Sequence, residues 1–283
     1  MEAGFSLKES TIGIFGLGLM GGSLAMSLKE HCRTLIGFDS HLPTLELALS
    51  KKVIDHAESD NAAFLPQVDL LILATPVHTI INIIQHLPSL MPNPCIVLDL
   101  GSTKQNIVQA MAALPERFDP IGGHPICGKE TLGFKHAESA LFQDQTFILT
   151  PLDRTSETAL SAALKIVEVI GAVPVFLEAE LHDAAFAFTS HLPYLLSSAL
   201  AASLPTSDFP FIGSGFRSVS RLAGTPASMM LSVLQSNQEN VLNALQSVQK
   251  ILAEFESALA LKDYSKLEII LNEAQSKYQI ITQ

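Results

Sequence analysis

The stretch that most limits what this 283-residue chain can fold into is a glycine-rich loop between an apolar run and a helical run. In TIGIFGLGLMGGSLAMSLKEH, three glycines form a GxGxxG pattern. In a strand–turn–helix unit, the first glycine permits the tight turn, the second lets a pyrophosphate approach the backbone, and the third allows close helix packing. The start of the helix also offers free N–H groups to phosphate. We therefore expect a dinucleotide to be bound by Gly16, Gly18, Leu19, Met20 and Gly21.

Short β-rich runs alternate with helical stretches over the first 178 residues. Several runs are apolar throughout, as is typical of strands buried on both faces. This alternation predicts a mainly parallel sheet with helices on both sides, an α/β Rossmann-like domain over residues 1–178. The seven candidate strands are TIGIF, TLIGFD, DLLILAT, CIVLDL, FDPIGG, QTFILT and VPVFLE.

The remainder, residues 179–283, has few strand-like runs and predicts an all-α C-terminal domain. Its helices are expected at Asp183–Ser203, at Ala227–Leu261 and from Tyr264 onward. Apolar residues in the second helix follow a spacing of three and four, which requires another helix as a neighbour, either from the same chain or from a second subunit. The residues of this seam are Leu231, Leu234, Val241, Leu245, Val248, Leu252, Phe255 and Leu259.

The net charge limits the possible binding partners, and the cysteine content and the N-terminal sequence indicate the cellular compartment. A formal net charge of −11 argues against a nucleic acid or an anionic membrane as partner, because both need a basic surface. Cys32, Cys95 and Cys127 are far apart and odd in number, which predicts neither a disulfide framework nor a metal site. The start, MEAGFSLKES, does not resemble an export signal, and the apolar runs are too short to span a membrane. We expect a cytoplasmic protein.

Two further strand ends are candidate cofactor contacts. Asp39 ends the second strand, near the position of an acidic residue that binds the adenosine ribose, and the alternative is a surface aspartate. A carboxylate there favours NAD over NADP because it repels the additional phosphate. Thr75 and Pro76 follow a later strand, where they either line the cofactor or, in the case of Pro76, simply end the strand.

His124 and Ser102 are the candidate reacting groups. GGHPICG, residues 122–128, has the composition of a tight turn, in which Pro125 directs His124 and the glycines allow a ligand to approach. Such a histidine is either structural or a proton acceptor, since imidazole titrates near neutral pH. Ser102, in LDLGSTK, is either a helix cap or a hydrogen-bond donor to a ligand at the same edge of the sheet.

Arg217 and Arg221 lie one helical turn apart and therefore share a face. A guanidinium binds carboxylate in a bidentate manner and stays charged, which suggests an acidic ligand. A surface salt bridge is the alternative for Arg217.

In order and spacing, GLGLMGGS, LILATPV, DLGSTK, GGHPICG, TSHLPYLL and GFRSVSRLAG closely resemble the prephenate/arogenate dehydrogenase family of tyrosine biosynthesis. The resemblance runs from about Ser10 to Asn240. It implies oxidative decarboxylation of prephenate to 4-hydroxyphenylpyruvate, or of arogenate to tyrosine, with hydride transfer to NAD and without a metal. It also implies a homodimer that forms through the helical domain.

The resemblance assigns roles to individual residues. It makes His124 the base that accepts the proton of the ring hydroxyl, with Ser102 bonded to that hydroxyl or near the nicotinamide. It places His191, of the SHLP motif, in the substrate pocket, where the residue is otherwise a half-buried helix histidine next to a kink at Pro193. It implies that Arg221 binds the ring carboxylate of a dicarboxylate substrate. Arg217 is the weaker candidate for this contact.

The sequence departs from the family pattern at two places near the arginines. Ser218 stands where an acidic residue is common, and Met229 and Met230 stand where an aromatic residue commonly borders the substrate side chain. The choice between prephenate and arogenate therefore stays open, with Met229 as the candidate contact.

Two other functions are compatible with the two-domain pattern. A 2-hydroxyacid-type dehydrogenase typically uses a lysine in the helical domain, and this chain has none between Lys165 and Lys250. A catalytically silent NAD(H)-binding sensor would be expected to lack His124 or Arg221, and both are present.

Overall fold

A computed structural model describes residues 5–59, 63–128 and 131–281 of the chain. Within these ranges, every element that follows the last strand is helical, which confirms the predicted α/β part followed by an all-α part. Internal contacts separate the chain into a compact unit Met1–Asn237 and a second unit Gln238–Gln283. None of the described helices is both long and apolar enough to cross a membrane.

The first part is built on one eight-stranded sheet in the order β3-β2-β1-β4-β5-β6-β7-β8. All seven predicted strands are present. The sheet is parallel except that β6 and β7 pair antiparallel. The sequence missed the short β3, because its residues HAE form no apolar run. The strands are β1 (Thr11–Phe15), β2 (Thr34–Phe38), β3 (His56–Glu58), β4 (Leu70–Leu73), β5 (Cys95–Asp99), β6 (Phe118–Pro125), β7 (Thr146–Pro151) and β8 (Val173–Phe176).

Helices cover both faces of the sheet, as β4 illustrates. Leu70 and Ile72 belong to an apolar cluster that includes α1 and α5, whereas Leu71 and Leu73 belong to a cluster that includes α3 and α4. Each such buried side chain contributes about 1.5–3 kcal/mol to folding. The helices of this part are α1 (Leu19–Leu28), α2 (Leu42–Ser50), α3 (Val77–Leu90), α4 (Gln105–Ala112) and α5 (Glu157–Val169).

Among the described residues, the helical part contains six longer helices. They are α6 (Ala179–Phe186), α7 (Leu192–Ser203), α8 (Ser214–Ser220), α9 (Ala227–Ser236), α10 (Gln238–Ala260) and α11 (Tyr264–Ile281). A π-helical segment, Ala187–His191, joins α6 to α7. It ends two residues before Pro193, which lacks the N–H that a regular helix would use, so the predicted irregularity is present.

The prediction of one helix over Ala227–Leu261 was wrong, because the backbone leaves the helical conformation at Asn237. The Asn237 side-chain amide donates to the Asp183 carbonyl oxygen at 2.7 Å and lies 3.2 Å from His191 Nδ1. An asparagine whose side chain bonds elsewhere competes with helical backbone bonding. Two helices, α9 and α10, therefore replace the single predicted one.

Candidate active site

The glycine-rich loop joins β1 to α1 in a geometry that requires glycine at two positions. Gly16 has a φ of 87°, and a Cβ there would lie 2.8 Å from Thr75 Cγ2. A Cβ on Gly21 would lie 1.9 Å from the Gly16 carbonyl oxygen, so any larger residue would push the helix away from the loop. At Gly18 no atom of the described residues lies within 4 Å of the Cβ position, which leaves this backbone accessible to a ligand.

Asp39, just after β2, lies against this loop. Its Oδ2 accepts a hydrogen bond from the Leu17 backbone N–H at 2.8 Å, and its Oδ1 accepts one from the His41 N–H at 2.8 Å. The carboxylate is half-buried. It therefore lies where an acidic residue in such a fold binds the adenosine ribose.

A cavity of about 410 Å³ brings together candidate residues from both parts of the chain. It opens where the central parallel strands end, the usual ligand crevice of such a sheet. Met229, Ser232 and Val233 of α9 form part of its wall. The predicted site residues that line it are Gly18, Leu19, Met20, Thr75, Pro76, Ser102, His124 and Met229.

Thr75 provides a test of whether this cavity fits a dinucleotide. Its Oγ1 is buried and has no hydrogen-bond partner among the described residues. Buried polar atoms in folded proteins nearly always have a partner, so a polar ligand group at this place would satisfy the hydroxyl. Because Thr75 shares the cavity with the open backbone of Gly18, the residues present fit a dinucleotide.

His124 lies within a strand rather than in the tight turn that GGHPICG predicts. The antiparallel neighbour β7 extends β6 through Pro125, and His124 pairs with Ile148. Gly123 serves close packing instead of a turn, since a Cβ there would lie 2.6 Å from the Asp99 carbonyl oxygen. The strand therefore fixes the imidazole at the cavity wall.

The other side of the His124 ring contacts His182, which in turn bonds Asp183, and the sequence analysis missed both residues. His124 Nδ1 lies 2.8 Å from His182 Nε2, and His182 Nδ1 lies 2.8 Å from Asp183 Oδ1. His182 and Asp183 are buried at the start of the helical part. The only sequence signal was a polar His-Asp pair in the otherwise apolar stretch that precedes SHLP, and this signal is weak.

A buried ion pair, also missed, supports the strand that carries His124. Lys104 Nζ bonds Asp99 Oδ2 and donates to the Gly123 carbonyl oxygen at 2.7 Å, and both charged side chains are fully buried. Asp99 Oδ2 also accepts from the Gly101 N–H at 2.7 Å. The pair therefore ties the end of β5 to β6 beneath the cavity.

Ser102 is not the cap of the next helix. The helix α4 begins at Gln105, and Asp183 accepts hydrogen bonds from the Lys104 and Gln105 N–H groups at 2.7 and 3.0 Å. Ser102 lines the cavity instead.

The histidines of the site are held neutral. Burial lowers the pKa of His124 well below its usual value, and electrostatic repulsion between its protonated form and Lys104, or protonated His182 or His191, adds to this effect. Burial also lowers the pKa of His182, although Asp183 opposes this effect, and lowers the pKa of His191 to about 4. A neutral imidazole keeps the lone pair that a proton acceptor needs. The electrostatics of the site therefore suit His124 to general-base chemistry.

Three of the predicted substrate residues lie outside the 410 Å³ cavity. His191 is buried, and its Nδ1 faces Asn237. Arg217, on α8, and Arg221, just after it, are exposed. A second cavity of about 360 Å³ shares Gly128 and Met229 with the first. Its wall includes Thr189, Ser190, Tyr194, Leu222, Thr225 and Met230.

The parallel sheet, the glycine-rich loop and the neutral histidine in the crevice together define a dinucleotide-dependent dehydrogenase. Two family models match the chain: "Prephenate dehydrogenase, nucleotide-binding domain" over residues 24–176 and "Prephenate dehydrogenase, dimerization domain" over residues 178–273. The chain belongs to the prephenate dehydrogenase family, an NAD-dependent family of oxidoreductases, as the sequence motifs predict.

Individual relatives agree with this assignment. Prephenate dehydrogenase of Bacillus subtilis is 30% identical over 83% of this chain, which spans 66% of that protein. The crystal structure of prephenate dehydrogenase from A. aeolicus in complex with hydroxyphenyl propionate and NAD+ is 28% identical, with a TM-score of 0.88 over 98% of this chain and 100% of that one. Synechocystis arogenate dehydrogenase is also 28% identical, with a TM-score of 0.79 over 96% of this chain and 99% of that one.

Proposed function

We propose that this protein catalyses the NAD-dependent oxidative decarboxylation of prephenate or arogenate. The observation that carries the proposal is the single cavity that joins the open backbone of Gly18 to the neutral imidazole of His124. The loop that would hold the hydride-accepting cofactor and the proton acceptor His124 therefore flank the same space. The likeness to prephenate and arogenate dehydrogenases over nearly the whole chain supports the choice of substrate class.

In the proposed reaction, His124 accepts the proton of the ring hydroxyl and Ser102 orients that hydroxyl by a hydrogen bond. Bound NAD would supply the acceptor for the hydride of the carbinol carbon. The electron pair of the bond to the ring carboxylate then moves into the ring as CO2 departs, and the aromatic oxygen regains its proton from His124. The residues hold the substrate in the reactive orientation, which lowers the entropic part of the barrier.

The cofactor contacts follow from the geometry of the loop. Gly16, Gly18 and Gly21 bring the start of α1 to the pyrophosphate, with Leu19 and Met20 against it. Asp39 binds the adenosine ribose and disfavours NADP by repelling its additional phosphate. Thr75 Oγ1 supplies a polar contact next to Pro76 at the cavity wall.

Arg221 binds the ring carboxylate in this proposal, and Arg217 adds positive charge on the same side. Arg221 directly precedes Leu222, which lines the second cavity. That cavity receives the side chain of the substrate, with Met229 at the boundary of the two spaces. His191 faces the side-chain end of the substrate in this proposal; its Nδ1 lies 3.2 Å from the Asn237 amide, so the contact uses Nε2.

Substitution Arg221→Ala should raise the KM for prephenate or arogenate by about 10- to 100-fold, the effect of losing a charge-assisted hydrogen bond, with a smaller change in kcat. Steady-state kinetics at saturating NAD measure both constants. Arg217→Ala provides the comparison, and we expect a smaller rise in KM. A wild-type KM in Arg221→Ala would show that Arg221 does not bind the substrate.

The pH dependence of kcat/KM should show an acid limb with an inflection below about pH 6.5, the usual histidine value. The active form has a neutral His124, and a lowered pKa means that this form persists to lower pH. Burial is the main cause of this lowered pKa, and His182, Lys104 and His191 lower it further, whereas the nearby carboxylate of Asp183 bonds His182 and not His124. An inflection at or above pH 6.5 would show that His124 is not the titrating base.

The helical part supports assembly into a homodimer. Along α10, Leu252 and Leu259 of the predicted seam are each more than half exposed, at 55% and 58%. Large exposed apolar side chains in a series mark interaction surfaces. The proposed division is a cofactor domain, residues 1–178, and a substrate and dimerisation domain, residues 179–283, in a cytoplasmic enzyme.

The assay that tests the proposed function follows NADH absorbance when purified protein is mixed with NAD and prephenate, and in parallel with NAD and arogenate. Equivalent mixtures with NADP measure the cofactor preference. We expect NADH formation with at least one substrate and a lower kcat/KM with NADP. Failure of both substrates with both cofactors would end the proposal.

A further inference from the structure

Two buried groups form a hydrogen-bonded line that ends at the imidazole of His124 in the crevice. The line runs from Asp183 Oδ1 to His182 Nδ1, at 2.8 Å, and from His182 Nε2 to His124 Nδ1, at 2.8 Å. His182 and Asp183 are 0% and 1% exposed. Neither residue lines the 410 Å³ cavity, so neither is placed to touch a bound ligand there.

The surroundings of Asp183 determine which nitrogen of each ring carries a proton. Asp183 Oδ1 accepts from the Lys104 N–H at 2.7 Å, and Oδ2 accepts from the Gln105 N–H at 3.0 Å. Both oxygens therefore serve as acceptors, and the bond to His182 requires a proton on His182 Nδ1. The lone pair of His182 then lies on Nε2, so His124 must donate its Nδ1 proton to it. The nitrogen of His124 left with a lone pair is Nε2.

Ring packing limits the alternatives to this arrangement. Phe186 stacks on His182 with ring centroids 4.4 Å apart and contacts His124 with centroids 5.0 Å apart. Phe186 has no hydrogen-bonding group, so it restrains the two rings without competing for their nitrogens. His182 is consequently the side chain that decides the proton position on His124.

We propose that His182, held by Asp183, is a positioning residue that keeps His124 in the Nδ1-protonated form with its Nε2 lone pair directed to the substrate hydroxyl. As His124 takes up the substrate proton, its Nδ1–H bond to His182 strengthens and stabilises the positive charge. The role in turnover rests on the proposed function, whereas the tautomer is a property of the free protein.

The kinetic test compares His182→Phe with His182→Gln. Phe keeps an aromatic ring against Phe186 but removes the acceptor, and we expect kcat to fall by about 10- to 100-fold with little change in KM or in the Kd for NAD. Gln offers an amide oxygen near the position of Nε2, so we expect it to recover most of kcat. Phe186→Leu is the packing control, because it disturbs the same rings without changing any hydrogen bond, and its kcat should exceed that of His182→Phe.

The second arm needs no turnover. Long-range 1H–15N correlation spectra of 15N-histidine-labelled full-length protein distinguish the two neutral tautomers, and the His124→Asn variant assigns the signals of His124. We expect His124 protonated at Nδ1 in the wild type, with this preference reduced in His182→Phe. An Nε2-protonated His124 in the wild type would overturn the proposal even if the dehydrogenase assay succeeds. A wild-type kcat in His182→Phe would overturn it as well, whereas an inactive wild type with the expected tautomer would contradict only the proposed function.

Discussion

Substitution His124→Asn should lower kcat by about 10²- to 10⁴-fold, the usual contribution of a general base, while the protein still folds and binds NAD. The amide of Asn is similar in size to part of the imidazole but cannot accept a proton near neutral pH. The strand position of His124, paired with Ile148 through backbone atoms, does not depend on its side chain. The loss should therefore appear in the chemical step and not in stability.

Three measurements separate this outcome from a folding defect: kcat at saturating substrate, the Kd for NAD from isothermal titration calorimetry, and the thermal midpoint. His31→Asn is the matched control, because His31 is an exposed histidine in the same half of the chain. We expect this control to behave as the wild type. A His124→Asn variant with more than a tenth of the wild-type kcat would mean that another group accepts the proton.

Substitution Lys104→Met should destabilise the protein by about 3–5 kcal/mol, the cost of leaving one member of a buried ion pair without its partner. Asp99 and Lys104 have fully buried side chains, so water cannot replace the lost contact. The backbone N–H groups of Gly101 and Gly123 still reach the Asp99 carboxylate but do not neutralise its charge. Met retains the apolar length of the lysine side chain, which confines the change to the ammonium group.

Urea unfolding at one fixed protein concentration measures this effect, because assembly makes apparent stability concentration-dependent. The double variant Asp99→Asn/Lys104→Met should recover much of the loss, since it removes the unpaired charge. Arg33→Met is the control for an exposed pair: Arg33 and Asp69 are 59% and 48% exposed, and such pairs contribute about 1 kcal/mol or less. A loss below about 1 kcal/mol in Lys104→Met would contradict the importance of the buried pair.

Local sequence patterns predicted the elements that depend on contacts between residues close together in the sequence. The apolar runs located seven strands, most of which are buried on both faces, whereas β8 at the edge of the sheet is exposed. The GxGxxG pattern located the loop because its glycines are needed for contacts within one strand–turn–helix unit. The break at Asn237 was missed because its cause is a contact with Asp183, far away in the sequence.

The candidate site was predicted in outline but not in its supporting contacts. His124, Ser102 and Thr75 were found from their positions at strand ends and from the family resemblance. The contact of His124 with His182 and the pairing of β6 with β7 depend on how distant segments pack, which no local pattern reports. Because of this antiparallel pairing, His124 lies in a strand where the sequence predicted a tight turn.

The cap of α4 has a consequence for how the protein acquires its activity. Asp183 holds the first backbone N–H groups of α4 from a helix that is synthesised 79 residues after Lys104, and the same carboxylate bonds the neighbour of His124. A nascent chain that has completed only the sheet can present the glycine-rich loop, yet it lacks the carboxylate that orders the imidazole. During synthesis, cofactor binding is therefore expected to appear before catalytic activity, so an unfinished or truncated chain would bind NAD without reducing it.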